Sequence, residues 1–264
     1  MNTLKIAFIG AGNMAEAIFS GLIKAGHPAS HICIVDPVEA RCQALQEKYQ
    51  LQVSTLAEAC LSDLVVFAVK PQQMAVVLQQ VIGLISADST LISVAAGIQT
   101  VSFCDVLGDA INIVRVMPNT PCLLGEGMSA LFSNAGQVHH DRAQYLMVSS
   151  GEVVWVDTER QLHAVTAVSG SGPAYFFLLA EIIQASAQQM GLSEELAQQL
   201  VNQTALGASR MLKESGCSAI ELRQRVTSPG GTTQAAIDIM YEEGLPAAVR
   251  KGVLAANQRS KELG

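Results

Sequence analysis

Basic side chains and aromatic rings are both scarce in this sequence of 264 residues. Lysine and arginine number 16 against 23 acidic residues, so the formal net charge is −7. Aromatic residues make up only 5% of the chain, which leaves few rings on which bases could stack. A surface that follows nucleic-acid phosphates needs a basic excess. We therefore expect no nucleic-acid partner, and a small molecule or another protein instead.

Long uninterrupted apolar runs are also missing. The densest apolar stretch, 164–183, contains Ser169, Ser171 and Glu181, whereas a membrane-spanning helix needs about 20 mostly apolar residues. The first residues enter a strand pattern directly, without the basic and then apolar regions of a secretory leader. We therefore expect a soluble cytoplasmic protein with no membrane contact.

The six cysteines and five histidines form no metal-binding pattern. There is no C-x-x-C pair, and His139 and His140 are adjacent rather than at the helical spacing that would aim both rings at one ion. We expect the cysteines to act as small apolar core residues, and we expect no metal site.

Short apolar runs alternate with helical patterns in the first part of the chain. The runs, all rich in β-branched residues, lie at 4–10, 31–36, 63–69, 89–96 and 111–117, with extensions of the same layer at 127–133 and 152–157. Strand followed by helix, repeated, predicts an α/β domain with a mostly parallel sheet over 1–160. After Asp157 only helical patterns remain, which predicts an all-α domain over 161–264.

A glycine turn, Gly10-x-Gly12-x-x-Ala15, directly follows the first predicted strand and opens the first predicted helix. Gly10 permits a tight turn, Gly12 lets backbone approach a pyrophosphate, and the small Ala15 lets helix and strand pack closely. The backbone at Asn13 and Met14 would then face the phosphates. A purely structural turn is the alternative. We favour a Rossmann-type dinucleotide-binding domain.

Asp36 ends the second predicted strand. A carboxylate there would accept hydrogen bonds from an adenosine ribose and favour NAD(H), whereas a 2′-phosphate would be repelled unless Arg41 or another cation compensated. Alternatively, Asp36 only caps the helix that begins at Pro37. The choice between NADPH and NADH therefore stays open.

Three turns at later strand ends are expected to line the cofactor and substrate cleft, because ligands of open α/β sheets lie at the carboxyl ends of the strands. Lys70, extended before Pro71, could meet a phosphate or stay in solvent. Asn119 could present its amide to a carboxamide or belong to a structural turn. The predicted cofactor contacts are Gly10, Gly12, Asn13, Met14, Asp36, Ala68, Val69, Lys70, Pro71, Ala95, Gly97 and Asn119.

Six segments together resemble the pyrroline-5-carboxylate reductases in order and spacing. They are the glycine turn, "AVKPQ" (68–72), "SVAAGI" (93–98), "VRVMPNTP" (114–121), "AVSGSGPAYFF" (167–177) and "VTSPGGTTQAAI" (226–237). The resemblance implies reduction of L-1-pyrroline-5-carboxylate to L-proline, the last step of proline synthesis. It implies NADP(H) as cofactor, with NAD(H) as the other candidate. It also implies a helical dimerisation domain, a homodimer and larger rings of dimers.

The segment "SPGGTT" is the expected substrate site. Backbone amides of Gly230, Gly231 and Thr232, at the start of a helix, would bind the substrate carboxylate, and Ser228 could add a hydroxyl donor. Thr233 matches the family's substrate-contacting threonine and is the predicted catalytic residue, forming the hydrogen bond to the ring nitrogen. A threonine hydroxyl does not titrate near neutrality, so it would orient the ring rather than act as a strong acid. A protonated imine is already electrophilic and demands no acid–base pair.

The segment "SGSGPAY" (169–175) either lines the nicotinamide site or lets two helices approach. The following "AYFFLLAEII" (174–183) is apolar on most faces, which suits a subunit interface. Two other functions remain in view. A β-hydroxyacid-type dehydrogenase would carry a lysine on this helix, and 174–191 has none. A non-catalytic dinucleotide sensor would leave "SPGGTT" without a ligand.

Overall fold

The computed structural model describes Met1 and residues 3–263, which divide into two compact units. The first unit contains Met1–Ser171 together with 256–263 at the end of the chain. The second contains Gly172–Ala255.

An eight-stranded sheet forms the centre of the first unit, in the order β3-β2-β1-β4-β5-β6-β7-β8. The strands are β1 (Ile6–Ile9), β2 (Ile32–Val35), β3 (Gln52–Val53), β4 (Leu64–Phe67), β5 (Thr90–Ser93), β6 (Asn112–Met117), β7 (Gly127–Ser133) and β8 (Gly151–Trp155). All neighbouring pairs are parallel except β6 and β7. The first six strands follow the order of a dinucleotide-binding Rossmann sheet. The predicted mostly parallel α/β fold is therefore confirmed.

Helices cover both faces of this sheet. They are α1 (Asn13–Lys24), α2 (Glu39–Tyr49), α3 (Leu56–Ala59), α4 (Pro71–Gln80), α5 (Thr100–Leu107) and α6 (Gln137–Val148). On β4, Leu64 and Val66 pack into the core beneath α1, α2 and α6, while Val65 and Phe67 pack into the core beneath α4 and α5. Since successive side chains point to opposite faces, a strand covered on both sides is apolar throughout, as the sequence of β4 is.

The segment around "SGSGPAY" is helical, not a turn. α7 (Gln161–Val165) runs directly into a π-helical segment, Thr166–Gly170. The π-helical segment includes Ser169 and Gly170, the first two residues of "SGSGPAY". A Cβ on Gly170 would lie 2.5 Å from Cε of Met117. Glycine therefore permits close packing here rather than ending the helix.

The second unit is helical wherever the structure assigns it regular secondary structure. Its elements are α8 (Gly172–Gln189), α9 (Glu194–Glu214), α10 (Ala219–Arg225), α11 (Thr232–Glu242) and most of α12 (Leu245–Leu263). The Ser193 hydroxyl accepts from Leu196 N–H and caps α9. Ser218 caps α10 in the same way, with Glu221 closing a capping box.

Large apolar side chains of α8 and α9 are exposed on the single chain. Phe176 and Phe177 are each 67% exposed. Between α8 and α9 lies an apolar groove of about 490 Å³, lined among others by Leu179, Ile183 and Leu200. By length and composition the helical stretch Gln161–Gln189 could even cross a membrane, with only 11% of its apolar window buried. Soluble monomers rarely leave such a surface uncovered, so this face is typical of an interaction site.

Candidate active site

Backbone hydrogen bonds continue past the carboxyl ends of the central strands. Gly10 N–H donates to Val35 O at 2.8 Å, and Ala68 N–H donates to Ile9 O at 2.8 Å. These bonds fix the turns after β1, β2 and β4 against one another. The predicted cofactor residues of the first unit therefore share one edge of the sheet: Gly10, Gly12, Asn13, Met14, Asp36, Ala68, Val69, Lys70, Pro71, Ala95, Gly97 and Asn119.

Gly10 and Gly12 have different physical reasons to be glycine. Gly10 has φ +97°, and a Cβ on it would lie 2.7 Å from Ala68 O, so both conformation and space require glycine. Gly12 has ordinary extended backbone, and a Cβ there would meet no heavy atom within 4 Å among the described residues beyond its chain neighbours. The empty space in front of Gly12 fits a ligand that approaches the backbone closely.

The first turn of α1 presents unsatisfied donors to that space. Gly12 caps the helix without a side-chain hydrogen bond, and the first backbone bond back to the cap comes from Glu16 N–H. The N–H groups of Asn13, Met14 and Ala15 therefore have no acceptor within the helix. Free N–H groups at the positive end of a helix dipole are suited to binding an anion such as a diphosphate.

The Asp36 carboxylate is anchored to backbone on both sides. Oδ2 accepts Ala11 N–H at 2.8 Å, and Oδ1 accepts Val38 N–H at 3.0 Å. The helix that Asp36 could have capped begins at Glu39 rather than at Pro37, and its N-cap residue is Val38, with no side-chain cap bond, so the capping alternative was wrong. The Val38 contact instead closes a short turn that precedes α2. Each carboxylate oxygen can accept a second bond, so the same group can still receive ribose hydroxyls.

Glu16 organises the cations beside this turn, a role that sequence reasoning missed. Its Oε2 lies 2.5 Å from Nη2 of Arg41, and its Oε1 lies 2.9 Å from Nζ of Lys48 and 2.8 Å from the Tyr49 hydroxyl. Burial alone would raise the pKa of Glu16. The hydrogen bonds from Lys48, Tyr49 and Arg41, together with the Arg41 charge, lower that pKa to about 2.

The remaining strand-end residues are placed as follows. Lys70 is exposed and extended, with φ −61° and ψ 145°, and Pro71 is the first residue of α4. Ala95 is buried, and Gly97 has φ +82°. Asn119 is held at both ends of its amide, since Nδ2 donates to Ser169 O at 3.1 Å and Oδ1 accepts Met128 N–H at 2.8 Å. Asn119 thereby anchors the π-helical segment to the turn after β6.

In the second unit, "SPGGTT" forms a tight turn followed by a helix. Gly231 N–H donates to Ser228 O at 3.0 Å, and Gly230 has φ +69°. In the four-residue turn 228–231, Pro229 is the second residue and the positive-φ Gly230 is the third, which is the pattern of a type II β-turn. A Cβ on Gly231 would lie only 3.1 Å from Ser228 O, so that position also favours glycine.

The turn leaves a particular set of donors free. Gly231 N–H is occupied by the turn itself, and the first backbone bond of α11 runs from Ala235 N–H to Gly231 O. The N–H groups of Thr232, Thr233 and Gln234 therefore have no acceptor within the helix. Among the described residues, the hydroxyls of Ser228 and Thr233 make no intraprotein hydrogen bond. Thr233 and Gln234 thus add backbone donors that the sequence pattern had not singled out.

The buried histidines are engaged inside the protein. His27, His139 and His163 contact the hydroxyls of Tyr145, Thr90 and Ser260 respectively. Burial lowers the pKa of all three rings, with nearby cationic groups acting in the same direction. Within the described part of the chain, no group of three or more His, Cys, Asp or Glu side chains could hold a metal ion.

Comparison with known proteins identifies the family. Residues 159–263 match the family model for pyrroline-5-carboxylate reductase dimerisation, and residues 5–97 match the model for NADP oxidoreductase, coenzyme F420-dependent. A pyrroline-5-carboxylate reductase of Pseudomonas aeruginosa is 45% identical over 267 residues, covering 100% of this chain and 98% of the relative. The chain belongs to the pyrroline-5-carboxylate reductase family. The resemblance inferred from the six segments is thereby confirmed.

Solved structures agree with this assignment. A pyrroline-5-carboxylate reductase of Coxiella burnetii has a TM-score of 0.92 and 39% identity, covering 99% of both chains. The Plasmodium falciparum pyrroline carboxylate reductase, solved with NADP bound, has a TM-score of 0.90 and 30% identity, covering 100% of this chain and 99% of that one. The exposed apolar face of α8 and α9 lies within the residues that match the dimerisation model, which indicates a homo-oligomer.

Proposed function

We propose that this pyrroline-5-carboxylate reductase family member reduces L-1-pyrroline-5-carboxylate to L-proline with NAD(P)H, as the last step of proline biosynthesis in the cytoplasm. The observation that carries the proposal is the Ser228–Thr233 turn, whose free amides and hydroxyls suit a small carboxylate-bearing ring. The proposed domains are residues 1–160 for the dinucleotide and 161–264 for dimerisation and substrate.

The substrate carboxylate would be held by the N-terminus of α11. The free N–H groups of Thr232 and Thr233 lie at the N-terminus of α11, where the positive end of the helix dipole favours an anion. Gly230 has no side chain that could block the approach of a carboxylate to the backbone amides. Ser228 adds a hydroxyl donor. Gly231 closes the turn through its bond to Ser228 O and is the N-cap residue of α11.

Thr233 would then orient the ring for reaction. When bound, the reduced nicotinamide supplies a hydride to the imine carbon, and the C=N bond becomes C–N as the ring nitrogen keeps its proton. The Thr233 hydroxyl oxygen would accept a hydrogen bond from that protonated nitrogen and fix which ring face is presented. In the first unit, Gly10, Gly12, Asn13 and Met14 would receive the diphosphate. Cofactor contacts from Asp36, Ala68–Pro71, Ala95, Gly97 and Asn119 are part of the same proposal.

The proposed assembly is a homodimer that builds a larger ring of dimers, without membrane contact. Its support is the apolar groove between α8 and α9, which lies in the residues that match the dimerisation model. L-Proline, the product, would leave from the same turn that holds the substrate carboxylate.

The first experiment is the initial rate of NADPH and NADH oxidation with L-1-pyrroline-5-carboxylate. Thr233→Val should reduce kcat substantially while the dissociation constants of the cofactors stay unchanged, and Thr233→Ser should restore most of the rate. Thr232→Val is the matched control, since it removes a neighbouring hydroxyl and keeps every backbone donor. No imine turnover despite cofactor binding would overturn the proposed function. Equal rates for Thr233→Val and the wild type would overturn only the role of Thr233.

A further inference from the structure

Asp36 and Arg41 both form hydrogen bonds to the backbone of Ala11 in the glycine turn. Asp36 Oδ2 accepts Ala11 N–H at 2.8 Å, while Nε of Arg41 donates to Ala11 O at 2.9 Å. Both side chains are thus fixed at the end of β2, where the adenosine ribose of a dinucleotide is expected in this fold. These two contacts within the protein orient both side chains.

The cations at this place are already committed to a carboxylate. Arg41 reaches Glu16 at 2.5 Å, and Lys48, the other cation of α2, reaches the same carboxylate at 2.9 Å. The Glu16 side chain is only 14% exposed, whereas the Arg41 and Lys48 side chains are 34% and 62% exposed, so solvent screens these contacts in part. These contacts use two of the five N–H donors of Arg41, so Glu16 acts chiefly by offsetting the positive charge that a further anion would meet.

Acidic groups outnumber the cations along the whole segment. The charged residues from 36 to 49, taken together with Glu16, are the acids Glu16, Asp36, Glu39 and Glu47 and the bases Arg41 and Lys48. The count is thus four carboxylates against two cations, and both cations form an ion pair with Glu16. A 2′-phosphate would bring about two more negative charges into this region.

We propose that this chain binds NADH in preference to NADPH, with Asp36 accepting the ribose hydroxyls and Glu16 withholding Arg41 from a 2′-phosphate. The proposal rests on the proposed cofactor site, although not on the identity of the substrate. Rossmann domains that accept a 2′-phosphate place a free arginine near the ribose, and those that bind NAD(H) place a carboxylate there. Here the carboxylate is in place, and the charge of the arginine is offset by its ion pair with Glu16.

Cofactor binding without substrate tests the preference directly. The dissociation constants of NADH and NADPH are measured by energy transfer from the protein to the bound nicotinamide, or by calorimetry, on the full-length wild type. We expect NADH to bind at least about tenfold more tightly, a free-energy difference of about 1.4 kcal/mol. Equal affinities, or tighter binding of NADPH, would overturn the proposal.

Three variants locate the origin of the preference. Glu16→Gln frees Arg41 and should strengthen NADPH binding several-fold, with less than a twofold change for NADH. Glu47→Gln removes the same unit charge from an exposed position on α2, where solvent screens that charge, and should change each constant by less than about twofold. In the double variant Glu16→Gln with Arg41→Ala, the gain in NADPH affinity should disappear. Identical shifts in Glu16→Gln and Glu47→Gln would refute the withholding role.

Asp36→Ser provides an independent variant in case Glu16→Gln folds poorly. It should weaken NADH binding and shift the NADH-to-NADPH affinity ratio about tenfold toward NADPH. An unchanged ratio would reject Asp36 as the ribose acceptor. Because these are binding measurements, they give an answer even if L-1-pyrroline-5-carboxylate is not turned over, so this inference and the proposed function can fail separately.

Discussion

Gly10 lies so close to Ala68 that a Cβ on Gly10 would be 2.7 Å from the Ala68 carbonyl oxygen. Gly10 also has φ +97°, which L side chains rarely adopt. Gly10→Ala should therefore lower the free energy of unfolding by about 1–3 kcal/mol. Urea denaturation of the protein without cofactor measures this. Gly26→Ala, at φ +95° with no atom near its Cβ position, is the control for conformational strain alone.

Gly12→Ala should behave in the opposite way. A Cβ there meets no described atom within 4 Å beyond its chain neighbours, so we expect a change in stability of about 1 kcal/mol or less. The same methyl group would occupy the space proposed for the diphosphate, and cofactor affinity should fall by about tenfold or more. Unfolding and binding are measured on one preparation. Unchanged cofactor affinity would place the diphosphate elsewhere.

The Glu16 network should make stability depend on pH in acid. The pKa of Glu16 is about 2 in the folded protein and 4.5 ordinarily, so the folded state favours the ionised form. Its contribution is complete above pH 4.5 and is lost as the pH falls toward 2. Glu16→Gln should cost about 1–3 kcal/mol at pH 7, discounted because Arg41 and Lys48 are partly exposed. A deficit that persisted unchanged at the acid end of this range would contradict this origin.

The apolar face of α8 should control assembly. Phe176 is 67% exposed on the single chain and lines the groove between α8 and α9. A symmetric interface buries this ring twice, so Phe176→Asp removes about 3–6 kcal/mol of apolar burial per dimer. Sedimentation velocity across a concentration series should show dissociation at micromolar protein. Leu61→Asp, on a 69% exposed leucine of the first unit, should leave the assembly intact.

The strands and the substrate turn could be predicted because their determinants are local. β1, β2 and β4 are β-branched runs, and Pro229-Gly230 dictates the turn that the structure shows. β3 was not predicted, since Gln52 and Val53 are two exposed residues without a period. The π-helical segment was missed because its glycine marks contact with Met117, which is distant in sequence.

The contacts of Glu16 beside the glycine turn likewise depend on residues that are distant in sequence. Asp36 and Arg41 could be named from their position after the second strand, because the fold places that position beside the ribose. Glu16 could not, since nothing in α1 indicates that its carboxylate meets Arg41, Lys48 and Tyr49 from another helix. Which charges cancel is decided by tertiary contacts, and only those contacts connect the sequence to a cofactor preference.

Arg115 and Glu159 form the most buried ion pair among the described residues, and Glu159→Gln should be strongly destabilising. Arg115 is 2% exposed, its Nη1 lies 3.1 Å from Glu159 Oε1, and Glu159 also accepts both Thr100 N–H and the Thr100 hydroxyl. The substitution leaves a buried guanidinium without a counter-charge, in a cavity that also holds Arg160 and His163. We expect a loss of about 3–5 kcal/mol in the free energy of unfolding.

A second substitution distinguishes this electrostatic cause from lost packing. Replacing a whole buried pair by uncharged residues of similar volume is often neutral, so Arg115→Met combined with Glu159→Gln should recover much of the stability lost by Glu159→Gln alone. Urea unfolding of both variants makes the comparison, with Glu195→Gln on exposed α9 as the charge control. If the double variant is no more stable than Glu159→Gln, the unpaired Arg115 charge is not the cause. The bonds from Glu159 to Thr100 at the start of α5 would then account for the loss.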